Sequence, residues 1–517
     1  MLKLGGLLLG SDIGTSATKT ILVDAEGREV ASSTAEYGVI TLKTGWAEQW
    51  PDVWFQALCQ TIKDVVKKAA VDPRDIAGYC VSSLYGGSGI PCDRGMKPLR
   101  PCLIWADRRA SEECRWIREN IGEERVFRET CNTIDPYYGY TKMLWIKRNE
   151  PQVWSRIHQL VTPNAYCVYR LTGEISVDYS SIGNYGGIFN PKERRFAEEL
   201  MSDLGIPRGF FPEKISMSKD VVGEVSSEGA ELSGLAKGTP VCAGGIDAPM
   251  SALGVGALGD GELAMMLGTS VCNGFIQDEP RFSPKLINYS HVAYDDRKFY
   301  SFAGIITAGY AIRWFRDNLG SVESMLARET GLSAYSILDM EAERVPAGSD
   351  GLIFMPHMMV GERAPWWDEY VRGVFFGLTL NHTKAHMFRS ILEGIAYAIR
   401  YCIETAVEAG IPLKRAILVN GGARSRVWRR IITDVLNRDV EYLAASIGAP
   451  YGDALLAGVG TGVLKGYEVI NEWLTGGETI KPVQEAASKY GQLYSIYRSL
   501  YEALREDFRE LKKLEAQ

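Results

Sequence analysis

Residues 4–30 read LGGLLLGSDIGTSATKTILVDAEGREV, and this stretch predicts three β-strands in succession. The apolar run that begins at Leu4 ends at Asp12, a Gly-Thr-Ser turn follows, and residues 20–23 form a second apolar run before a turn at 24–27. Turn residues between short apolar runs are typical of a β-meander. A helix with Pro51 at its first position is expected next, and a strand over residues 76–82 follows it.

This order of elements predicts an α/β fold of the actin-like, ribonuclease-H-like type. A Rossmann unit would instead alternate strands and helices from its start. Residues 262–276 repeat the strand, turn and strand, with a second Gly-Thr-Ser at 268–270. We therefore expect two related domains, 1–255 and 256–517, with a cleft between them. Further helices are expected at 309–316, 386–408 and 425–436, after Pro450 and at 485–517, with strands at 416–420 and 440–443.

The composition indicates a folded protein that binds small molecules. Of the 517 residues, 46% are hydrophobic and 23% are charged, a balance typical of soluble globular proteins. The formal net charge of -7 disfavours binding to nucleic acid, which needs a basic field. No stretch approaches the roughly 18 apolar residues that cross a membrane, and residues 4–9 lack a signal-peptide cleavage site. We expect a cytoplasmic protein whose ten cysteines are reduced thiols.

Asp12 and three glycine-rich turns are the candidate magnesium and phosphate residues. Asp12 ends a buried strand, and the amides and hydroxyls that follow it are donors suited to phosphate oxygens. A carboxylate beside a phosphate needs a cation between them, so we expect Mg²⁺ held by Asp12 through water. The alternative is a plain hairpin in which Asp12 is a turn former. The candidate phosphate donors are Gly14, Thr15, Ser16, Gly268, Thr269, Ser270, Gly421, Gly422 and Ala423.

Asp247 is the candidate general base. It follows the apolar residues 241–243 and two glycines, and it precedes a helix that starts near Ala248. A carboxylate at such a strand end can accept the proton of an alcohol that attacks a γ-phosphoryl group. The alternative is that Asp247 only caps the helix.

Trp105, Asp107 and Arg108 are the candidate residues for a polyol. An indole stacks on carbon atoms, while a carboxylate and a guanidinium bind hydroxyl groups. The alternative is a strand end with surface salt bridges. The arginines at 424, 426, 429 and 430 are candidates either for phosphate contacts or for a solvated helix face.

These segments together resemble the FGGY family of carbohydrate kinases over residues 8–464. The most specific likeness is to the family's C-terminal signature, which includes Gly377, Leu378, His386 and Glu393. Residues 10–24 resemble the family's first phosphate loop, and residues 45–49 resemble the Gly-Trp-acidic-Gln stretch of its pentulose kinases. Residues 244–247 match the Gly-Gly-Ile-Asp segment that carries the family's catalytic aspartate. All the similar segments are residues 10–24, 45–49, 244–247, 361–365, 373–393 and 421–428.

The resemblance implies two actin-like domains, Mg-ATP, and phosphoryl transfer to a sugar or polyol hydroxyl. It makes Asp247 the base and places Asp12 beside magnesium, and it makes a ketopentose such as xylulose or ribulose the expected substrate. It also implies sugar binding by the N-terminal domain, ATP binding by the C-terminal domain, and a homodimer. The residues that it implies for phosphate and nucleotide contacts are Thr15, Ser16, Lys19, Thr269, Gly309, Arg313, Gly421, Gly422 and Arg426.

The sugar pocket departs from the family's pattern. Xylulose kinases carry Gln-Met-His-Gly where this chain has Leu84-Tyr85-Gly86-Gly87, so Tyr85 and Gly86 are expected beside the substrate. The polar residue after the catalytic aspartate is Ala248 here, and the Arg-Glu pair of glycerol kinases is missing. Unmatched hydroxyls are costly to bury, so the alternatives are another polyol, a hexulose or a sugar acid, of glycerol, erythritol or gluconate type. A catalytically weak sugar sensor or an actin-like ATPase is the alternative from another functional class.

Overall fold

The computed structural model describes residues 6–359, 361–443 and 448–515, which divide into two compact units. Unit 1 takes the described residues within Met1–Asp260, Ile276–Ser301 and Ser446–Thr475. Unit 2 takes those within Gly261–Phe275, Phe302–Ala445 and Gly476–Gln517. The predicted boundary after residue 255 would place the last two segments of unit 1 in the C-terminal domain. The predicted assignment of sugar binding to residues 1–255 and of ATP binding to residues 256–517 stays a prediction.

The elements follow one another in a mixed α/β order. The strands are β1 (Leu7–Ile13), β2 (Ala17–Val23), β3 (Glu29–Glu36), β4 (Glu48–Gln49), β5 (Ile76–Ser83), β6 (Ile90–Cys92), β7 (Cys102–Leu103), β8 (Gln159–Val161), β9 (Val177–Asp178), β10 (Phe189–Asn190), β11 (Arg195–Phe196), β12 (Ile215–Ser216), β13 (Val221–Glu224), β14 (Pro240–Cys242), β15 (Gly245–Ile246), β16 (Glu262–Leu267), β17 (Val271–Gln277), β18 (Ile287–Ser290), β19 (Phe299–Ile305), β20 (Ile353–Met355), β21 (Val374–Phe376), β22 (Arg415–Val419), β23 (Val440–Leu443) and β24 (Gly477–Ile480). The helices are α1 (Pro51–Ala69), α2 (Ser111–Asn120), α3 (Glu123–Thr130), α4 (Gly139–Asn149), α5 (Pro151–Trp154), α6 (Pro163–Thr172), α7 (Tyr179–Gly183), α8 (Glu198–Leu204), α9 (Ser227–Ser233), α10 (Asp247–Gly254), α11 (Gly309–Leu319), α12 (Ser321–Thr330), α13 (Ala334–Glu343), α14 (Lys384–Glu408), α15 (Arg426–Leu436), α16 (Ala449–Gly460), α17 (Ile470–Trp473) and α18 (Gln484–Glu515).

The main sheet of unit 1 has the strand order β13-β14-β5-β1-β2-β3, and β15 pairs with the end of β5. β1, β2 and β3 are antiparallel neighbours, which confirms the predicted meander, and α1 begins at Pro51 as predicted. β5 runs parallel to β1 and to β14. Strands in the parallel part of a sheet are buried on both faces. This explains why β1 is a continuous apolar run instead of an alternating one.

Both faces of β1 are covered by helices. Leu8 and Leu9 point to opposite faces of the sheet, and both are fully buried. Leu9 belongs to a core cluster that contains Trp54 of α1, whereas Leu8 belongs to a second cluster that contains Leu455 of α16. Helix α16 comes from the end of the chain, so residues far apart in the sequence meet at the C-terminal end of β1.

A second sheet, most of whose residues belong to unit 2, repeats this arrangement in the order β18-β19-β17-β16-β22-β23-β24. β16 and β17 form an antiparallel hairpin, and β22 runs parallel to β16. The second Gly-Thr-Ser turn lies between β16 and β17, as predicted. Leu4 and Gly5 of the apolar run and residues 516–517 of the predicted tail helix lie outside the described residues. In the described part of the chain, none of the helices has the length and apolar character needed to cross a bilayer.

Candidate functional site

Asp12 lies at the end of β1, where Ser82 of β5 connects it to a second carboxylate. The Ser82 hydroxyl oxygen is 3.3 Å from Oδ1 of Asp12 and 2.7 Å from Oδ2 of Asp453, which lies on α16 and is fully buried. Burial raises the pKa of Asp12 to about 7, and the Ser82 hydrogen bond and Lys19 offset this only in part. Burial also raises the pKa of Asp453, opposed by Ser82, and the charges of Asp12 and Asp247 raise it further. Near neutral pH this cluster therefore retains protons.

The oxygen donors at this edge fit a cation that is bound together with phosphate. Asp12 offers one half-buried carboxylate next to the first Gly-Thr-Ser turn. No cluster of three or more potential metal-ligating side chains occurs among the described residues. Mg²⁺ keeps several waters and shares its coordination with substrate phosphates, so it suits this donor set. A site built from protein ligands alone would not fit.

Some of the polar groups of the first Gly-Thr-Ser turn already form hydrogen bonds within the protein. The Gly14 N–H donates to the carbonyl oxygen of Ala17 at 2.9 Å, so this predicted phosphate donor is used inside the hairpin. The Thr15 hydroxyl accepts a hydrogen bond from Nε1 of Trp105 at 3.0 Å. Ser16 is exposed, and Lys19 lies opposite Asp12 on β2. The fold thus brings a predicted phosphate residue and a predicted sugar residue into contact.

Asp247 lies at the first position of α10, directly after β15. Gly245 of β15 is the register partner of Ser82, and Ser82 is the register partner of Asp12. Asp12 and Asp247 therefore lie at the same edge of the sheet with one strand between them. The N-cap residue of α10 is Ile246, so the alternative in which Asp247 caps the helix is wrong.

The segment before Asp247 is fixed by close backbone packing. Gly244 has a φ of 74°, and a Cβ atom on it would lie 1.9 Å from the carbonyl oxygen of Val81. No side chain fits there, because the contact is with backbone. The Ile246 N–H donates to the hydroxyl of Ser180 at 3.1 Å. These contacts hold Asp247 at a defined position relative to β5.

The side chains of Asp107 and Arg108 form hydrogen bonds and ion pairs with other residues of the protein. Asp107 is fully buried, and Oδ2 accepts from the Ala47 N–H at 2.7 Å and from the guanidinium of Arg109, also at 2.7 Å. Arg108 forms a bidentate ion pair with Asp135. Both side chains stabilise the loop that carries Trp105. The contacts of Asp107 and Arg108 with a polyol stay predictions. The burial of Asp107 and the ion pair of Arg108 do not favour such contacts.

Tyr85 and Gly86 follow β5 and belong to an aromatic cluster. The ring centroid of Tyr85 lies 5.1 Å from that of Tyr137 and 6.3 Å from that of Tyr185. The hydroxyls of Tyr85 and Tyr185 are buried, and neither has a hydrogen-bond partner among the described residues. A cavity of about 10 Å³ beside them has room for about one water molecule. Tyr137 and Tyr185 were not predicted as site residues, since isolated tyrosines in the sequence carry no signal.

A cavity of about 590 Å³ in unit 2 is lined by six of the predicted phosphate and nucleotide residues. This volume is within the range of about 300–1,000 Å³ that small-molecule sites occupy. The predicted residues that line it are Gly268, Thr269, Gly309, Arg313, Gly421 and Gly422. Arg424, one of the arginines considered either for phosphate contacts or for a solvated helix face, also lines it. The lining residues that the sequence did not predict are Ile312, Ser333, Tyr335, Ser336, Asp339, Phe388, Leu392, Ser425 and Trp428. Ser270, Ala423 and Arg426 are not part of this lining.

Backbone hydrogen bonds join the second Gly-Thr-Ser turn to the start of α11 at this cavity. The Gly309 N–H donates to the carbonyl oxygen of Gly268, and the Tyr310 N–H donates to that of Thr269, both at 3.1 Å. On the facing helix α13, burial raises the pKa of Asp339 to about 6, and a hydrogen bond with Ser425 opposes the rise. The cavity thus combines fixed turns, apolar side chains and one carboxylate.

Comparisons with known proteins place the chain among sugar kinases. Residues 7–254 match the N-terminal domain, and residues 263–461 the C-terminal domain, of the FGGY family of carbohydrate kinases. The chain is 30% identical over 506 residues to a gluconokinase of Bacillus subtilis (strain 168), covering 98% of this chain and 97% of that protein. It is 29% identical over 497 residues to a xylulose kinase of the same organism, covering 96% of each. The crystal structure of xylulose kinase from Rhodospirillum rubrum matches with a TM-score of 0.86 and 29% identity, covering 97% of this chain and 100% of that chain.

These matches confirm the predicted fold class, a two-domain α/β fold of the actin-like type, and the predicted resemblance. The relatives include a gluconokinase and a xylulose kinase at nearly equal identity. They therefore support an enzyme that phosphorylates a carbohydrate and leave its substrate open. The chain belongs to the FGGY family of carbohydrate kinases.

Proposed function

We propose that this kinase transfers the γ-phosphoryl group of ATP to a hydroxyl of a ketopentose such as xylulose or ribulose. The observation that carries the proposal is the position of Asp12 and Asp247 at one sheet edge, one strand apart. Phosphoryl transfer needs one carboxylate near the cation that binds the phosphates and another that accepts the proton of the alcohol. Asp12, beside the first Gly-Thr-Ser turn, suits the first role, and Asp247 suits the second.

In this proposal Asp247 accepts the proton of the substrate hydroxyl as its oxygen attacks the γ-phosphorus. A new phosphorus–oxygen bond forms, and the bond between the γ-phosphorus and the bridging oxygen of ADP breaks. The products are a sugar phosphate and ADP. Mg²⁺, held by Asp12 through water, would neutralise charge on the phosphates. Trp105 contributes an apolar surface for the sugar carbons, and its indole N–H orients the Thr15 hydroxyl, which keeps its own hydrogen for a phosphate oxygen.

The nucleotide in this proposal occupies the cavity of unit 2. Phe388, Leu392 and Ile312 supply apolar surface for a base, and Asp339 supplies acceptors for hydroxyl or amino groups. Thr269 supplies donors for phosphate at the second Gly-Thr-Ser turn, in which the Gly268 N–H already donates to the carbonyl oxygen of Ser270 at 2.9 Å. Sugar binding by unit 1 and nucleotide binding by unit 2 follow from this assignment.

The charges around Trp105 favour a neutral sugar over a sugar acid. Arg108 is paired with Asp135, and Arg109 is paired with both Asp107 and Glu48. A carboxylate on the substrate would have to compete with these buried pairs for a cation. A sugar acid is the second candidate, because a gluconokinase is among the similar proteins.

The test is ADP release from Mg-ATP in the presence of single sugars. The panel contains xylulose, ribulose, other ketopentoses, hexuloses, glycerol, erythritol and gluconate, with a control that lacks sugar. We expect the highest kcat/KM with a ketopentose. A preference for gluconate would replace the first candidate with the second. A flat panel with only slow background hydrolysis would contradict the kinase proposal and favour a sugar sensor, for which direct binding of the same panel is the next measurement.

Gly309→Ala is expected to weaken ADP and ATP binding by about tenfold or more, since overpacking costs about 1–3 kcal/mol. A Cβ atom at this position would lie 2.6 Å from the carbonyl oxygen of Gly268, so the start of α11 and the second Gly-Thr-Ser turn must move apart. Sugar binding should stay unchanged. Titration calorimetry with ADP measures the effect. Gly491→Ala is the matched control, because a Cβ atom there meets nothing within 4 Å. Equal ADP affinity in both variants would contradict the assigned nucleotide site.

A cytoplasmic homodimer stays a prediction. Light scattering coupled to size-exclusion chromatography distinguishes the mass of a dimer from the 57.2 kDa of one chain.

A further inference from the structure

A second cavity of unit 2 has a volume of about 550 Å³ and lies beside α14, α15 and β24. We call it the arginine cavity. Its charged lining residues are Arg389, Arg426, Arg429, Arg430, Glu343 and Glu478. None of its lining residues also lines the nucleotide cavity, although α15 contributes to both. Four arginines against two glutamates leave an excess of positive charge on its wall.

Three of these arginines form one face of α15. Arg426, Arg429 and Arg430 are spaced at i, i+3 and i+4, so their side chains project from the same side of the helix. Arg426 is the first residue of α15, where the positive end of the helix dipole adds to the field. The arrangement therefore concentrates guanidinium groups at the positive end of a helix.

Arg429 is a buried cation with unused donor capacity. Its side chain is only 8% exposed, and its guanidinium carbon lies 3.9 Å from the ring centroid of Tyr442. Nη1 is 3.1 Å from Oε2 of Glu478, a side chain that is 63% exposed and therefore weakly effective as a partner. Nε has no hydrogen-bond partner among the described residues. A buried donor without a partner costs free energy, which a bound acceptor would recover.

The other arginines differ in the number of hydrogen bonds and ion pairs that they form within the protein. Arg389 is buried, and its guanidinium donates hydrogen bonds to Glu393, to the carbonyl oxygen of Ala342 and to the hydroxyl of Tyr490. These bonds hold Arg389 in place in the cavity wall. Arg430 is 46% exposed, donates to the carbonyl oxygen of Lys481 and lies 3.6 Å from Asp434.

Arg426 is exposed at the start of the same face. Arg426 can therefore turn toward a ligand without breaking a buried pair, whereas Arg430 would have to move away from Asp434, whose side chain is only 5% exposed.

We propose that the arginine cavity binds a phosphate-bearing small molecule at a site separate from the nucleotide. Guanidinium groups bind phosphate through two parallel hydrogen bonds, and three of them on one helix face match the oxygens of one phosphate. Glu343 and Glu478 on the wall accept hydrogen bonds from hydroxyls, which favours a sugar phosphate over inorganic phosphate. The cavity volume suits a ligand of this size.

The experiment is titration calorimetry on the full-length protein with its nucleotide site saturated by Mg-ADP. Ribose 5-phosphate and inorganic phosphate are titrated separately, and ribose is the control without phosphate. We expect saturable binding of ribose 5-phosphate. Saturable binding of inorganic phosphate alone would also support an anion site and would identify the phosphate group as its whole ligand. Absence of saturable binding of both compounds would overturn the proposal.

Two variants assign the binding to this cavity. Arg430→Gln, alone and with Arg426→Gln, is expected to lower the affinity by about tenfold per arginine, as for a lost charge-assisted hydrogen bond. Arg328→Gln is the matched control, because Arg328 is an exposed arginine on α12 that lines neither cavity. Arg426→Gln alone, at an exposed position, keeps the test valid if the double variant does not fold. Unchanged affinity in the Arg430 and Arg426 variants would place the ligand elsewhere and overturn the proposal.

Discussion

Asp247→Asn is expected to lower kcat by about 10²–10⁴-fold, the usual contribution of a general base. The amide keeps the size of the carboxylate but cannot accept the proton of the attacking hydroxyl. The backbone contacts of Gly244 and Ile246 hold this position independently of the side chain. The affinities for sugar and nucleotide should therefore change little, and the loss should fall on kcat. An ADP-release assay and direct binding of both substrates measure the two effects.

The matched control for this variant is Asp203→Asn. Asp203 is a half-exposed carboxylate of α8 that pairs with Arg125 at 2.7 Å, and a surface pair of this kind contributes little to stability. Its kcat should equal that of the unaltered enzyme. If Asp247→Asn keeps kcat within tenfold, Asp247 is not the base. If it loses sugar binding together with kcat, its role is in binding and not in proton transfer.

Asp453→Asn is expected to raise the free energy of unfolding at pH 8, because the asparagine does not have to bury a carboxylate that would ionise in the unfolded chain. Burial raises the pKa of Asp453 in the folded protein, whereas the unfolded chain ionises it near 3.8. The folded state therefore holds more protons above pH 4, so stability falls as the pH rises. Asp12, with its pKa of about 7, adds to this loss between about pH 4 and 7. The asparagine removes the contribution of Asp453 and keeps its shape.

Unfolding by urea at several pH values between 4 and 8 measures this difference. The gain of Asp453→Asn over the unaltered protein should be small at pH 4 and should grow toward pH 8. Asp203→Asn controls for the loss of one carboxylate at the surface. Parallel stability curves for Asp453→Asn and the unaltered protein would contradict a raised pKa at this position.

The elements around the first turn could be predicted because their signals are local. The apolar run before Asp12, the glycine at 14 and the proline at 51 lie within the segments that they define, and the structure has β1, β2 and α1 there. The same holds for the second Gly-Thr-Ser turn. The candidate base Asp247 was found for a similar reason, since two glycines and an apolar strand precede it.

The partners of these residues could not be predicted, because folding brings them from distant segments. Ser82 and Asp453 are 371 positions apart, and no local pattern links them. The sequence suggests that Asp107 contacts the substrate. Its hydrogen bonds with Ala47 and Arg109, which only the structure shows, indicate instead that it is buried and stabilises the loop. Phe388 and Leu392 line the cavity of about 590 Å³ in unit 2, yet in the sequence they are ordinary apolar positions of a long helix.

The three-segment composition of unit 1 has a consequence for the order in which the protein is made. A ribosome that synthesises this chain releases β1 and β5 early, but it releases α16 only after residues 302–445 of unit 2. Until then the face of the sheet that carries Leu8 and Ile21 lacks the helix that covers it. Exposed apolar surface of this kind promotes aggregation. A recombinant fragment that ends at residue 255 would keep this face uncovered permanently, so residues 1–255 do not form a separable N-terminal module.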